Sequence, residues 1–506
     1  MWTRGLRRIW GSNTWGEPDM THVTASTAAG QLRGADRDGI KTFLGVPYAA
    51  PPVGQNRFRA PQPVEPWDGV RDALELPPSC PQPQQRPAGW THESVESEDC
   101  LYLNVWTPAA GDGADATRPV MVWYHGGGYS IGSGSWPLYD GSALARRGDV
   151  VVITVNHRLG PLGYLHLADL APTDDSLAAS GNAGMLDLVA TLDWVQENVA
   201  NFGGDPNNVT IFGESGGGAK VSTLLAMPSA QGKFHRAIIQ SGPALRVTKG
   251  DRATGAARRL LDALGIDEEN LEQLWSVPAE KLVEASAAAG RMAFSPVLDG
   301  DVIPTHPADA LATGTAADVP VIVGCNQDES AGMLPKELDE EGLRERLAAF
   351  GSDNVDEIVA TYRSEYPDAT DVDILSYALT DSRMRAGSIR LAEAKLAGTT
   401  SPVWMYFFTY QLAGRAGHGY EIAFAFDNLG RSDDRGVSGT RRQLVDEMSD
   451  AWLAFARDGD PNHRKLAKWP SYTLPERSTM YFQRGGSEVK SDPNRATREL
   501  WDGIRR

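Results

Sequence analysis

From about residue 118 onward, short β-branched apolar runs alternate with longer stretches whose apolar residues recur at helical spacing. Pro119-Val-Met-Val-Trp-Tyr124, Val150-Val-Val-Ile-Thr-Val-Asn156, Val209-Thr-Ile-Phe212, Ala237-Ile-Ile-Gln240 and Val319-Pro-Val-Ile-Val323 read as fully buried strands, each followed by a Gly-rich or polar turn. A strand apolar on both faces must be covered on both, which is the condition of a parallel sheet. Met185, Leu188, Val189, Leu192 and Val195 predict a crossover helix between the second and third runs. Asn201-Phe-Gly-Gly-Asp-Pro-Asn207 predicts the turn that leaves it.

Residues 22–75 mix short strand-like runs with Pro and Gly and predict a small antiparallel extension of the same sheet. Beyond residue 250, Ala/Leu/Glu-rich stretches at 253–265, 279–289, 341–350, 385–398 and 440–457 predict helices, interrupted by strand-like segments at 319–324 and 402–410. The expected fold is therefore α/β, with a large, mostly parallel central sheet, helices on both faces and helical insertions. Such insertions cap the carboxyl edge of the sheet, where open α/β folds bind ligands. No linker or repeat divides residues 22–506, which read as one domain. Residues 1–21 are expected to be an N-terminal extension, with Met20 as the natural beginning.

Composition narrows the function. The chain of 506 residues is too long for a small binding module, and 48 Lys+Arg against 66 Asp+Glu leave a formal charge of −18. Nucleic acids and anionic membranes select for basic patches, so neither is an expected partner. No apolar run approaches the roughly 18 residues of a membrane span, and residues 1–20 lack the apolar stretch of a secretory signal. A cytoplasmic protein that acts as a monomer on a small molecule is the expectation. The three cysteines, Cys80, Cys100 and Cys325, have no metal-site spacing, so neither metal nor cofactor is expected.

Chemistry enters at Gly213-Glu-Ser-Gly-Gly217, a G-x-S-x-G placed between an apolar strand and a helical run. That is the strand, sharp turn and helix of a nucleophile elbow, with Ser215 at its apex. A serine hydroxyl attacks only when a base takes its proton and donors meet the developing oxyanion. His125-Gly-Gly-Gly128 follows directly on a strand and offers the second requirement: the N–H groups of Gly127, Gly128 and Gly216 are the candidate oxyanion donors. For the base, His235, His306, His418 and His463 lie downstream of Ser215. His235 is too near the elbow, and His306 and His463 sit in turns expected to face solvent. His418, in the Gly-bracketed Ala416-Gly-His-Gly-Tyr420, is the candidate. Asp328 and Glu329 both follow the strand-like segment 319–324, and the residues alone do not choose between them as the orienting acid.

These segments resemble the type-B carboxylesterase/cholinesterase family of α/β-hydrolases. The likeness covers nearly the whole chain and also includes Gly45-Val-Pro-Tyr-Ala-Ala-Pro-Pro-Val-Gly54, Ser97-Glu-Asp-Cys-Leu-Tyr-Leu-Asn-Val-Trp106, Asn156-His-Arg-Leu-Gly160 and His418-Gly-Tyr-Glu-Ile-Ala-Phe-Ala-Phe426. The resemblance implies a catalytic triad of Ser215, Glu329 and His418, supported from behind by Glu214, Ser241 and Glu421. It implies a serine ester hydrolase working through an acyl-enzyme on small or medium uncharged esters. Aryl carbamates or amides are the alternative substrates, and a non-catalytic adhesion module of the same fold is a remote third reading. The chain departs from the family at Gly216, usually Ala, which should loosen the hole slightly, and at His157, usually Tyr. Cys80 and Cys100 resemble the family's first disulfide, which secreted members form. Trp90 falls where cholinesterases stack a cationic substrate head.

Overall fold

The computed structural model describes residues 21–504 except 85–94, 112–113, 291, 350–353, 412–413 and 430–438. The N-terminal extension and Trp90 lie outside the described residues, apart from Thr21. Thr21 already pairs with Asp36 in the first strand.

In chain order the strands are β1 (Thr21–Thr27), β2 (Gly30–Arg37), β3 (Ile40–Pro47), β4 (Val70–Asp72), β5 (Tyr102–Thr107), β6 (Arg118–Tyr124), β7 (Val151–Val155) and β8 (Gly204–Glu214). They continue with β9 (Arg236–Gln240), β10 (Thr248–Lys249), β11 (Val297–Leu298), β12 (Val321–Asn326), β13 (Val403–Phe408), β14 (Thr479–Phe482) and β15 (Glu488–Lys490). One sheet runs β1-β2-β3-β5-β7-β6-β8-β9-β12-β13-β14-β15, with β4 beside β2; β10 and β11 pair separately. From β7 to β14 every pairing is parallel, whereas β1, β2, β3 and β5 form the antiparallel extension. The fold is the α/β-hydrolase arrangement.

Alternation explains why both faces are covered. Val120, Val122 and Tyr124 of β6 face one buried cluster, while Met121 and Trp123 face the other. The first cluster includes Met185, Leu188, Val189, Leu192 and Val195 of the helix Ala183–Asn198; the second includes Leu444, Met448, Trp452 and Phe455 of Gly439–Asp458. The five predicted downstream helices appear as Gly250–Leu264, Ala279–Ala289, Glu340–Ala349, Ala386–Ala397 and Gly439–Asp458. Two unforeseen helices, Val355–Glu365 and Asp371–Thr380, join Glu340–Ala349 and Trp501 around a third core. The turn predicted at 201–207 is partly absorbed into the sheet. β8 begins at Gly204, but its register against β6 jumps from Arg118↔Gly204 to Val120↔Val209, so the intervening residues bulge out.

Candidate active site

Ser215 closes β8 and opens the helix Gly216–Leu224 with φ 57° and ψ −121°, a conformation that costs a residue with a Cβ about 1–3 kcal/mol. Two backbone bonds impose it: the Ser215 N–H donates to Gln240 O at the end of β9 (2.8 Å), and its carbonyl accepts from Ala219 N–H (3.0 Å).

The loop after β13 is tied to the end of β12 before it presents His418. Asp328 N–H donates to Ala416 O at 2.9 Å, and Ala416 N–H returns to Asp328 Oδ2 at 3.0 Å. Arg415 and Ser376 donate to Asp328 Oδ1, and Asn326 Nδ2 donates to Gly417 O at 2.7 Å. His418 Nε2 then lies 2.8 Å from Ser215 Oγ, and its Nδ1 is hydrogen-bonded to Glu329 Oε2. Glu329 is held in turn through Oε1, which accepts from Ser241 Oγ (2.5 Å) and Asn326 N–H (2.7 Å). The choice that residue order left open is thus made by geometry: Glu329 faces the imidazole, and Asp328 anchors the loop that carries it.

The other histidines are engaged elsewhere. Val209 N–H donates to His235 Nδ1 at 3.1 Å. His306 and His463 are not the solvent-facing groups their loops suggested. His306 is buried and accepts from Val247 N–H at 3.3 Å, while His463 is half-buried with Nε2 bonded to Glu447 O at 2.9 Å. Both loops fold back onto the body, a packing that local polarity does not report.

Three buried carboxylates surround His418. Glu214 Oε1 stands 3.3 Å from Nε2, and neither Glu214 oxygen has a hydrogen-bond partner. Glu421 accepts from Asn326 Nδ2 (2.5 Å) and Gln240 Nε2 (3.3 Å). Burial pushes the Glu214 carboxyl up to about 8 and the Glu421 carboxyl up to about 7, while the neighbouring His418 pulls both back down. Burial alone would lower His418, but the attraction of Glu214, Glu329 and Glu421 outweighs it and holds the imidazole above its ordinary value.

The turn His125–Gly128 lies beside the elbow. Gly127 has φ 92°, and a Cβ there would collide with the Ile131 backbone, so only glycine fits. A Cβ on Gly216 would stand 2.5 Å from Gly128 Cα and nearer still to its nitrogen and oxygen. Besides the looser backbone expected of it, Gly216 has no side chain to keep the turn from closing on the elbow. Asn156 fixes the next stretch of loop, its Oδ1 accepting from Gly134 N–H (2.7 Å) and Ser133 Oγ (3.1 Å). His157 stacks on His125 with centroids 4.9 Å apart. Lys220, one helical turn after Gly216, is wholly buried, with Nζ 2.9 Å from both His125 O and Gly128 O.

Cys80 and Cys100, whose pairing the sequence left open, lie together in the core as free thiols, and the Cys80 sulfur accepts from Leu159 N–H at 3.2 Å. Among the described residues no group of His, Cys, Asp and Glu side chains is arranged to hold a metal ion, and no helix is long and apolar enough to cross a membrane. Sequence reasoning missed Asn326 and Lys220. The one signal for Lys220 was a lone cation in an otherwise small and apolar helix start, Gly216-Gly-Gly-Ala-Lys-Val221.

A strained serine at a strand-to-helix turn, bonded to a histidine that is oriented by a carboxylate, on a parallel sheet, defines a hydrolase of the α/β class. The model of the Carboxylesterase family matches residues 19–501, and the chain belongs to that family. It is similar to the para-nitrobenzyl esterase of Bacillus subtilis (strain 168), 37% identical over 95% of this chain and 98% of that protein. It also resembles the phenmedipham hydrolase of Pseudarthrobacter oxydans, 35% identical over 94% of this chain and 97% of that one. Among solved structures, the Geobacillus stearothermophilus carboxylesterase EST55 at pH 6.2 aligns with a TM-score of 0.85 and 38% identity, covering 94% of this chain and 99% of that one. The protein is an ester hydrolase.

Proposed function

We propose that Ser215, His418 and Glu329 act as nucleophile, general base and orienting acid in a two-step acyl transfer. The observation that carries this is the unbroken hydrogen-bonded path from Ser215 Oγ through both ring nitrogens of His418 to Glu329. His418 Nε2 takes the Ser215 proton as Oγ adds to the ester carbonyl. The tetrahedral oxyanion is met by the amides of Gly127, Gly128 and Gly216. Collapse expels the alcohol, which receives the proton from His418, and water then repeats the sequence on the acyl-enzyme. Glu214, Ser241 and Glu421 support the triad from behind, with Ser241 bonded directly to Glu329.

Small or medium uncharged esters are the proposed substrates, handled by a monomer without cofactor or nucleic-acid partner. Three buried thiols fit a reducing, cytoplasmic setting. Nothing in the site favours a carbamate or amide over an ester, and a hydrogen-bonded triad is foreign to an adhesion module. A fluorophosphonate probe tests the reading: it should modify the enzyme once, on Ser215 by peptide mapping. No adduct, or an adduct on another residue, would refute it.

The charge around His418 gives a pH test. Only the neutral imidazole accepts a proton, so kcat/KM falls as pH drops through the His418 titration. Glu214→Gln removes one group that stabilises the imidazolium. The midpoint of the acid limb should therefore move to lower pH, by about half to one unit. A midpoint unchanged or raised in the pH–rate profile would contradict the role given to Glu214.

A further inference from the structure

We infer that Lys220 is a positioning residue that clamps the oxyanion turn, and that Gly216 and Lys220 together hold the turn against the nucleophile helix; this rests on the acyl-transfer reading above. For the amides of Gly127 and Gly128 to serve an oxyanion, the carbonyls of those peptides and their neighbours must face into protein, and each buried carbonyl then needs a donor. Gly126 O is bonded to His125 Nδ1 at 2.8 Å. Gly127 O accepts from Ser130 N–H (3.3 Å) and Ile131 N–H (3.2 Å). The remaining two, His125 O and Gly128 O, are both taken by Lys220 Nζ at 2.9 Å. One amine thus fixes the first and last peptides of a segment whose glycines would otherwise rotate freely.

Helical spacing explains how it reaches them. Residues four apart lie on one face of a helix, so Gly216 and Lys220 present to the turn together. Gly216 admits the backbone of Gly128 where any side chain would exclude it. The amine then draws the same residue's carbonyl inward. No other side-chain donor reaches either carbonyl among the described hydrogen bonds, so these two carbonyls depend on this one group.

The surroundings suit an amine that is structural rather than reactive. The Tyr129 ring lies 5.5 Å from Nζ, and the charged or titratable groups facing the amine are His125 and its stacking partner His157 from the turn side and Glu214 from the elbow. Burial lowers Lys220 to about 7, with Glu214 opposing the shift, and lowers His125 to about 3. A neutral amine keeps two N–H donors, so the clamp survives deprotonation and loses only its charge assistance.

Lys220→Met, which fills the same space without a donor, tests this. With a p-nitrophenyl ester, kcat should fall about 10- to 100-fold, short of the 10²–10³ seen when an oxyanion donor is deleted outright, while KM changes less than about threefold. A trifluoromethyl ketone, which forms the oxyanion adduct, should lose affinity by the same factor as kcat/KM; a non-hydrolysable ground-state amide should bind as before. Equal losses for both ligands, or an unchanged kcat in the folded variant, would overturn the clamp. Should Lys220→Met fail to fold, Lys220→Leu, which likewise lacks a donor, is judged by the same comparison of ketone with amide. Wild-type protein that reacts with neither the ketone nor a fluorophosphonate would refute the acyl-transfer reading instead.

Discussion

Ser215→Ala is expected to lower kcat for p-nitrophenyl butyrate by about 10⁵- to 10⁶-fold, the scale on which removal of a serine nucleophile acts in a triad. The substitution deletes one atom, Oγ, whose described partner is His418 Nε2 at 2.8 Å. The strained backbone at φ 57° stays in place, because it is imposed by Gln240 O and Ala219 N–H and not by the hydroxyl. Stability should therefore change by less than about 1 kcal/mol, and substrate should still bind. The check is steady-state turnover of a variant purified free of wild type, alongside a thermal melt. A rate within tenfold of wild type would mean that Oγ is not the nucleophile, whatever the arrangement around it.

The parts of this site that could be read from the chain are those whose signal is local. The elbow is visible because strand, glycines, serine and helix follow one another within about fifteen residues, and β6 to β9 are visible because burial on both faces leaves uninterrupted apolar runs. What escaped is set by contacts across the fold. Asn326 works by touching Gly417 and Glu421, some ninety residues away. Asp328 and Glu329 are adjacent acids on one turn, and only the crossing of the 415–418 loop gives one the imidazole and the other the loop. His306 and His463 looked solvated because their neighbours are polar, yet each finds a backbone partner in a distant element. Gly216 shows the same limit with opposite sign. Taken alone it weakens the turn; paired with Lys220 four residues on, it is the gap into which the oxyanion turn fits.

Glu329→Gln should lower kcat/KM by about 10⁴-fold while leaving the fold intact, and the reason lies in which donors surround the carboxylate. Oε1 faces the Asn326 N–H, a backbone donor that cannot turn away, as well as the Ser241 hydroxyl. A glutamine must therefore place its carbonyl oxygen at that position, since its NH₂ group there would oppose the Asn326 N–H. The NH₂ is then left facing His418 Nδ1, which has to become the acceptor. An imidazole that accepts at Nδ1 carries its proton on Nε2, the nitrogen that must remove the proton from Ser215. The variant is thus held in the wrong tautomer by the surroundings that orient glutamate correctly in the wild type. Two measurements separate this from a loss of packing. The thermal midpoint should stay within a few degrees of wild type, and ¹⁵N chemical shifts of His418 should report the proton on Nε2 in the variant and on Nδ1 in the wild type. A variant that retained more than about a tenth of wild-type activity, or whose His418 kept the wild-type tautomer, would take the orienting role away from Glu329.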